Sequence, residues 1–425
     1  MVAYSGGLDS HVLLHALAQR RVAAGFSLRA AHIHHGLQPA ADAWARHCEE
    51  ICVGLGVSCV VERIRVDGVA EEGMEAAARR ARYACLAKLL EPGEALLTAH
   101  HQDDQAETVL LQLLRGTGVH GLAGMPALTP FAAGFHARPL LTFPRIELER
   151  YARTQNLSWI EDPSNRTLEI SRNLLRHGVM PVLRERWPTA GRQLAQAARH
   201  AAEAASLLDE LAQADLAACA EDDKLTVSAL KRLPSPRQRN VLRYWIRARG
   251  FRVPSTKQIE LLQAQLAGEP RTRHAAIRWR GAELRRYRDS LVLRAITPPA
   301  TGTGAVPWDG TRPLPLPSIG RRLRLSPVQG RGLARARVNG AIYSVRFRQG
   351  GETCRLPGRT HHHKLKKLLQ EAGVPPWERA QLPLLFVNGE IAAIGDRWVC
   401  EPFAAKPDEP GWVVVLEQIT PEGKL

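Results

Sequence analysis

The six residues Ser5-Gly6-Gly7-Leu8-Asp9-Ser10, almost at the amino end, constrain this chain more than any other stretch. Val2, Ala3 and Tyr4 read as the end of a β-strand and His11 to Ala18 as a helix, so the six form a strand-to-helix turn. Gly6 and Gly7 let backbone come close to a ligand, Ser5 and Ser10 offer hydroxyl donors, and the unpaired N–H groups of the first helical turn point at whatever binds. Such a turn is an anion site, and the expected anion is the pyrophosphate of ATP. No lysine follows, which separates it from the GxxxxGK[ST] loop that handles a γ-phosphate. Asp9 sharpens the reading: a carboxylate beside phosphates repels them unless a divalent cation lies between, so Mg²⁺ on Asp9 is expected. For the hexapeptide alone, an ordinary Gly-Gly turn with a Ser/Asp cap is the alternative.

Beyond the turn, β-like runs at 28–33, 59–64 and 95–99 alternate with helical patterns at about 8–24, 39–56, 72–91 and 102–115. That alternation predicts an α/β fold, a doubly wound parallel sheet with ligands at the carboxyl ends of its strands. The catalytic domain is expected over 1–187, followed by one long Ala/Leu-rich helix over 188–220. A helical module over 221–297 comes next. Ser235-Pro236 opens one of its helices, Ser255 with Gln258 forms a capping box for another, and a two-stranded segment (276–279 and 283–293) closes it. A Pro/Gly/Thr-rich linker over 297–307 leads to a small α+β domain at 308–425, built around one helix at 364–372.

Charge points to a polyanionic partner. The 58 Lys and Arg against 42 Asp and Glu leave a net +16, and between Arg312 and Lys367 there are 14 basic residues and one acid, Glu352. Mutual repulsion in so one-sided a stretch opposes packing unless a polyanion neutralises it, so this domain is expected to bind nucleic acid, without indicating which. The seven cysteines form no C-x-x-C pair and no zinc spacing; Cys48 and Cys52, one helical turn apart, read as core residues. No apolar run approaches the roughly 20 residues that cross a bilayer, and no secretory signal precedes the glycine turn. A cytoplasmic chain without a membrane partner is expected.

A second polar block, residues 98–108 (TAHHQDDQAET), begins where a strand should end. If it is helical, His100, Asp103, Asp104 and Glu107 share a face, and the repulsion among three carboxylates calls for a cation: a metal, a substrate ammonium, or both. A solvated acidic face is the plainer alternative. His101 falls on the other side of that helix, where positioning these groups and a packing or surface role are both open. His32, His34 and His35 follow a strand end and suit the wall of an adenosine pocket; a zinc reading lacks the cysteine or carboxylate to complete it. Arg79 and Arg82 lie one turn apart with Glu75 a turn earlier, a spacing that also permits salt bridging within the helix.

The SGGxDS pattern resembles the signature of the PP-loop ATP pyrophosphatases, and the ordered series of further blocks narrows the likeness. Residues 32–37 (HIHHGL), 75–83 (EAAARRARY), 100–108, 113–118 (LLRGTG), 121–125 (GLAGM), 138–141 (RPLL), 159–165 (WIEDPSN) and 171–177 (SRNLLRH) resemble the tRNA(Ile)-lysidine synthetase family, as do 364–371, 374–377 and 383–386. The resemblance implies a PP-loop domain of the adenine nucleotide alpha hydrolase kind. It implies a ligase that uses ATP to join L-lysine to C2 of the wobble cytidine of a CAU-anticodon isoleucine tRNA through an adenylated base, releasing AMP and pyrophosphate and changing decoding from AUG to AUA. By resemblance, residues 5–10 with His32 and His34 bind ATP, Asp9 holds Mg²⁺, and Arg79 neutralises phosphate charge. Asp104 and Glu107 hold the lysine, Asp104 accepts its proton, and Asp103 and His100 support them. Gly116 and Gly118 form a turn that approaches the nucleotide or base. Asn165, Arg172, Asn173 and Arg176 close on ATP and tRNA, and Lys364, Lys366 and Lys367 contact tRNA phosphates. The family is often dimeric, so a homodimer is compatible with the sequence.

Two features depart from the family pattern. Met1 abuts the first strand, where relatives usually carry preceding residues, so the expectation is an upstream start or a short strand. His361, His362 and His363 stand where a purely basic stretch is expected, and read as donors to tRNA phosphates. Two other functions compete with the ligase reading: a PP-loop thiolase of a wobble-region base, against which the missing C-x-x-C counts, and a non-catalytic tRNA-binding protein that keeps a nucleotide fold.

Overall fold

The computed structural model describes residues 1–36, 38–163, 169, 171–267, 276–296 and 304–419. Asn165 and residues 297–303 of the expected linker lie outside them. Two compact units divide the chain, Met1–Ala212 and Gln213–Leu425.

The first unit is built on six strands: β1 (Val2–Ala3), β2 (Arg29–His34), β3 (Ser58–Arg63), β4 (Ala95–Leu97), β5 (Leu128–Phe131) and β6 (Gly134–Ala137). Their order is β3-β2-β1-β4-β6-β5, parallel throughout except for β5, which runs antiparallel to β6. The helices are α1 (Leu8–Ala24), α2 (Ala41–Gly54), α3 (Val69–Glu72), α4 (Met74–Leu89), α5 (Gln102–Leu114), α6 (Val119–Leu122) and α7 (Arg145–Thr154). Then come α8 (Ser171–Leu174), a π-helical turn (Leu175–Val179), α9 (Met180–Arg186) and the 30-residue α10 (Ala190–Cys219). Successive residues of β2 enter two cores, as a strand covered on both faces must. Ala30 packs with Leu13, Leu14, Cys48 and Cys52, and Ala31 and Ile33 pack with Leu86, Leu90 and Leu96. The expected doubly wound sheet is present, and Cys48 and Cys52 are fully buried.

From β1 the chain steps out to β2 and β3, then returns to β4 on the other side. The crevice of such a sheet opens at that reversal, beyond the carboxyl ends of β1 and β4. Both polar blocks read from the sequence start there. The β5–β6 hairpin was not legible, because its strands are short, Pro130 sits in one, and Leu128 is exposed. Its requirement for Gly134 is steric: a Cβ there would lie 1.9 Å from the Glu94 carbonyl oxygen.

In the second unit, the module expected to be helical is α+β. Five strands, Ala220–Glu221, Lys224–Thr226, Ile277–Trp279, Ala282–Tyr287 and Ser290–Ala295, form a sheet against helices Val227–Arg232, Ser235–Ala248 and Thr256–Ala267. The run read as one strand over 283–293 is a hairpin. It folds at Arg288, in the left-handed region at φ 53°, and Asp289 is tied down by the Val227 and Ser228 N–H groups at 2.7 and 3.0 Å. The capping box is real: Gln258 Oε1 accepts the Ser255 N–H at 3.0 Å, and Ser255 Oγ accepts the Gln258 N–H at 3.4 Å.

The remaining strands form a five-stranded sheet, a two-stranded one and a four-stranded one, the last held by a nine-residue antiparallel ladder between Arg321–Gln329 and Pro410–Gln418. Acids from outside the basic stretch return through the fold: Glu417 pairs with Arg322 and Arg324, Glu409 with Arg337 at 3.3 Å, and Glu371 with Arg359 at 3.1 Å. Glu352 pairs with Arg348 at 3.3 Å. Internal ion pairs, not a polyanion alone, make the basic stretch foldable.

Candidate active site

The turn between β1 and α1 takes its shape from its own hydroxyls. Ser10 Oγ donates to the Gly7 carbonyl at 2.9 Å and accepts the Ser5 N–H at 3.2 Å, with Ser5 Oγ 3.0 Å away. Ser10 is buried and braces the loop, so the hydroxyl that faces a ligand is that of exposed Ser5. Gly6 has φ +82°, and a Cβ there would lie 2.6 Å from Ile160 Cδ1 and 3.0 Å from Cys48 Sγ. At Gly7, the N-cap of α1, no side chain caps the helix, which leaves first-turn N–H groups for an anion.

Opposite this turn, α5 starts at His101, for which the sequence left positioning of the acids and a packing or surface role both open. His101 is the N-cap and only 1% exposed. Its N–H donates to Asp104 Oδ2 at 3.0 Å, and in its neutral form the ring accepts the Asp104 N–H at Nδ1, 3.4 Å away. Nε2 lies 3.6 Å from Asp9 Oδ2 and 3.4 Å from Asp104 Oδ2, while Nδ1 lies 3.7 Å from Asp103 Oδ2. Burial pulls its pKa down, but the contact with Asp9 and the charges of Asp104 and Asp103 outweigh burial and raise it above the ordinary histidine value.

Arg145, first residue of α7, completes the group, with Nε 3.9 Å from Asp9 Oδ1. Among the described residues, three buried polar atoms have no hydrogen-bond partner at this point: Asp9 Oδ1, His101 Nε2 and Arg145 Nε. One hard oxygen donor and two N–H donors converging there suit a metal–phosphate pair, because Mg²⁺ is commonly held by one or two carboxylates together with phosphate oxygens. The residues present therefore fit Mg²⁺ on Asp9.

The acids of α5 already have cations. Arg176 donates from Nε to Glu107 Oε1 at 2.7 Å and from Nη2 to Asp104 Oδ1 at 2.8 Å; Arg172 donates from Nε to Glu107 Oε2 at 2.9 Å and from Nη2 to Asp104 Oδ1 at 3.1 Å. Glu107 is 2% exposed. Arg176 lies within the π-helical turn and Arg172 just before it. Besides the expected metal or substrate ammonium, guanidinium groups offset these charges in this structure. For Asp104, burial favours the neutral acid, but His101, Arg172 and Arg176 overcome that and hold its pKa below the usual carboxylate range. Asp103 faces elsewhere, accepting the Arg145 N–H at 2.8 Å and pairing with Arg184.

His100 is not on that acidic face. It precedes α5, and its Nδ1 lies 2.8 Å from Thr98 Oγ1. His32 and His34 lie within β2 rather than beyond its end. His32 Nδ1 is 3.0 Å from the Tyr4 carbonyl and 3.3 Å from Cys48 Sγ, and His34 Nε2 is 3.2 Å from Asp42. Both are buried, so they support the sheet's α2 side. No group of three or more His, Cys, Asp or Glu among the described residues could hold a metal, which leaves the zinc reading without a site. Exposed Arg79 and half-buried Arg82 stack over the Tyr83 ring, at 5.0 and 5.5 Å. Gly116, at φ +64°, and Gly118, the N-cap of α6, follow α5, and Asn173 is buried in α8. In the second unit His363 and Lys364 form a short strand with Thr353–Cys354, and Lys366 and Lys367 are exposed on helix Leu365–Glu371.

The sequence reading missed Arg145, Arg184, Thr98 and His136 and left His101 undecided between positioning and packing. One signal existed: His101 sits three residues before an acid at the start of a helix, which is the spacing of a capping box.

A PP-loop domain model matches residues 1–183, a TilS substrate binding domain model residues 225–292, and a TilS substrate C-terminal domain model residues 343–416. The tRNA(Ile)-lysidine synthase of Alkalilimnicola ehrlichii is 47% identical over 423 residues, covering 99% of this chain and 94% of that protein. The chain belongs to the tRNA(Ile)-lysidine synthase family. Members from Coxiella burnetii and Methylococcus capsulatus are each 42% identical, covering 98% and 97% of this chain and 92% and 95% of those proteins. The PP-loop match spans the glycine turn, α5 and the arginine pair, so the described geometry falls inside the family's ATP-using domain. No helix of the described residues is long and apolar enough to cross a membrane.

Proposed function

We propose that this tRNA(Ile)-lysidine synthase family member joins L-lysine to C2 of the wobble cytidine in a CAU-anticodon isoleucine tRNA at the expense of ATP. The observation that carries the reading is the meeting of Asp9, His101 and Arg145 between the glycine turn and α5, in a chain that matches the family over nearly its whole length. In the first step the cytosine O2 attacks the α-phosphorus, the bond to the bridging oxygen breaks and pyrophosphate leaves. Asp9 would hold Mg²⁺, which would supply charge neutralisation on the departing phosphates. First-turn N–H groups of α1, Ser5 Oγ, His101 and Arg145 hold and orient the triphosphate, with exposed Arg79 a further phosphate ligand.

In the second step the lysine ε-amine attacks C2, the C2–O bond breaks and AMP departs. Asp104 and Glu107 hold the amine, with Asp103 fixing α7 and α9 beside them. The ammonium must then compete with Arg172 and Arg176 for the same oxygens. A carboxylate held below its ordinary pKa is a weaker base, so the assignment of proton transfer to Asp104 requires the two arginines to withdraw when lysine binds. The Lys364, Lys366 and Lys367 cluster carries tRNA backbone contacts, and a homodimer remains compatible with the reading. Purified protein with ATP, Mg²⁺, lysine and this tRNA should yield AMP, pyrophosphate and a lysine-bearing anticodon. Sulfur incorporation instead, or an unmodified base with no pyrophosphate, defeats the proposal.

A further inference from the structure

We propose that Arg138, His136 and Thr98 fix His100 as the neutral tautomer with its proton on Nε2, so that His100 meets the substrates as a hydrogen-bond donor and not as a base. One chain of contacts fixes the proton positions. Arg138 Nη2 lies 3.2 Å from His136 Nδ1, His136 Nε2 lies 2.8 Å from Thr98 Oγ1, and Thr98 Oγ1 lies 2.8 Å from His100 Nδ1. A guanidinium can only donate. His136 Nδ1 is therefore the acceptor, and the proton of the neutral ring sits on Nε2, donating to Thr98 Oγ1. The single hydroxyl proton of Thr98 is then free to donate to His100 Nδ1. That nitrogen accepts, which leaves the proton of His100 on Nε2.

The fold holds each link in place. Arg138 Nη1 donates to the Pro126 carbonyl at 2.6 Å, and its backbone N–H donates to the Ala127 carbonyl at 2.8 Å, so the side chain and the backbone of Arg138 are both held. His136 is 4% exposed, on β6 opposite Leu96 of β4, with its ring between Tyr83 at 5.6 Å and Phe131 at 5.9 Å. Thr98 directly follows β4 and donates its N–H to the Ala137 carbonyl at 3.1 Å. Adjacent strands thus set the hydroxyl between the two rings. A doubly protonated His100 would put N–H against an oxygen already fed by His136 and would displace the hydroxyl proton. Burial, followed by the charges of Arg138, Arg172 and Arg79, also disfavours the second proton, although Asp104 acts the other way, and the pKa of His100 is lowered to about 3. His136, Thr98 and Arg138 are positioning residues: they act through His100.

The tautomer stands on the contact geometry; its part in turnover rests on the ligase reading. The test is a long-range proton–nitrogen correlation spectrum of the full chain labelled with ¹⁵N-histidine, with His100 assigned by the signals lost in His100→Gln. Nε2-protonated His100 is expected in the wild type near pH 7.5, a shift toward the Nδ1-protonated form in Thr98→Val, and restoration in Thr98→Ser. In parallel, kcat for pyrophosphate release should fall about tenfold in Thr98→Val with KM for ATP nearly unchanged, and Thr98→Ser should recover it. A wild-type His100 protonated on Nδ1, or unaltered His100 signals in Thr98→Val, overturns the proposal. If that variant does not fold, the wild-type spectrum decides alone. Wild-type protein that shows the Nε2 form but releases no pyrophosphate refutes the ligase reading and leaves the tautomer standing.

Discussion

Replacing Gly6 by alanine tests whether the nucleotide turn is shaped by backbone conformation and close packing together. The residue sits at φ +82°, where a side chain costs roughly 1–2 kcal/mol. The added Cβ would also lie 2.6 Å from Ile160 Cδ1 and 3.0 Å from Cys48 Sγ. Because Cδ1 is the movable tip of its side chain, that overlap should add only about 1 kcal/mol, the low end for overpacking. The expected loss is therefore about 2–3 kcal/mol, read as a lower urea midpoint with an unchanged denaturant slope. Ile160→Val removes the overlapping atom, so the pair Gly6→Ala/Ile160→Val should show coupling of about 1 kcal/mol while the conformational part remains. Titration with ATP should show weaker binding in both variants that carry alanine. A Gly6→Ala protein as stable as the wild type, or a pair whose effects simply add, would refute the reasoning.

Other variants separate the steps and the partners. Glu107→Gln should leave pyrophosphate release largely intact but slow lysine-dependent AMP release about 100-fold or more, and an equal fall in both would remove Glu107 from the amine site. Changing Lys364, Lys366 and Lys367 together to alanine should weaken tRNA binding and reduce the dependence of log K on log salt by roughly 2–3, whereas an unchanged slope would show that these lysines do not touch phosphate. Burial, helped by the charges of Arg138 and Arg79, pushes the His136 pKa down to about 4. Below the ordinary histidine value the unfolded chain takes up a proton that the folded one refuses, so stability is intact above about pH 6.5 and drains away as pH falls toward 4. By pH 5 the loss from this residue should approach 2 kcal/mol before solvent screening reduces it. Urea midpoints at pH 7.5 and 5 should therefore differ less in His136→Phe than in the wild type.

The sequence made local rules easy to read and long-range pairing hard. The glycine turn, the strand and helix alternation, the Ser255–Gln258 box and the buried Cys48 and Cys52 all follow from neighbours a few residues apart. What could not be read depends on residues far apart in the chain. Arg172 and Arg176 reach Asp104 and Glu107 across more than 60 positions, so the acids looked free. Glu409 and Glu417 neutralise arginines more than 70 positions earlier, so the basic stretch looked more one-sided than its fold is. His32 and His34 were placed beyond a strand end, whereas β2 runs to His34, and inside a strand alternate side chains share one face, here the face that meets Cys48 and Asp42 of α2.

The ladder between Arg321–Gln329 and Pro410–Gln418 makes the final stretch of polypeptide a keystone. A nonsense codon near position 408 would remove all of Pro410–Gln418, and with it every rung of that nine-residue seam and both counterions that quiet Arg322, Arg324 and Arg337. Late frameshifts should accordingly behave as severe alleles, with the shortened product cleared by proteolysis rather than merely slowed.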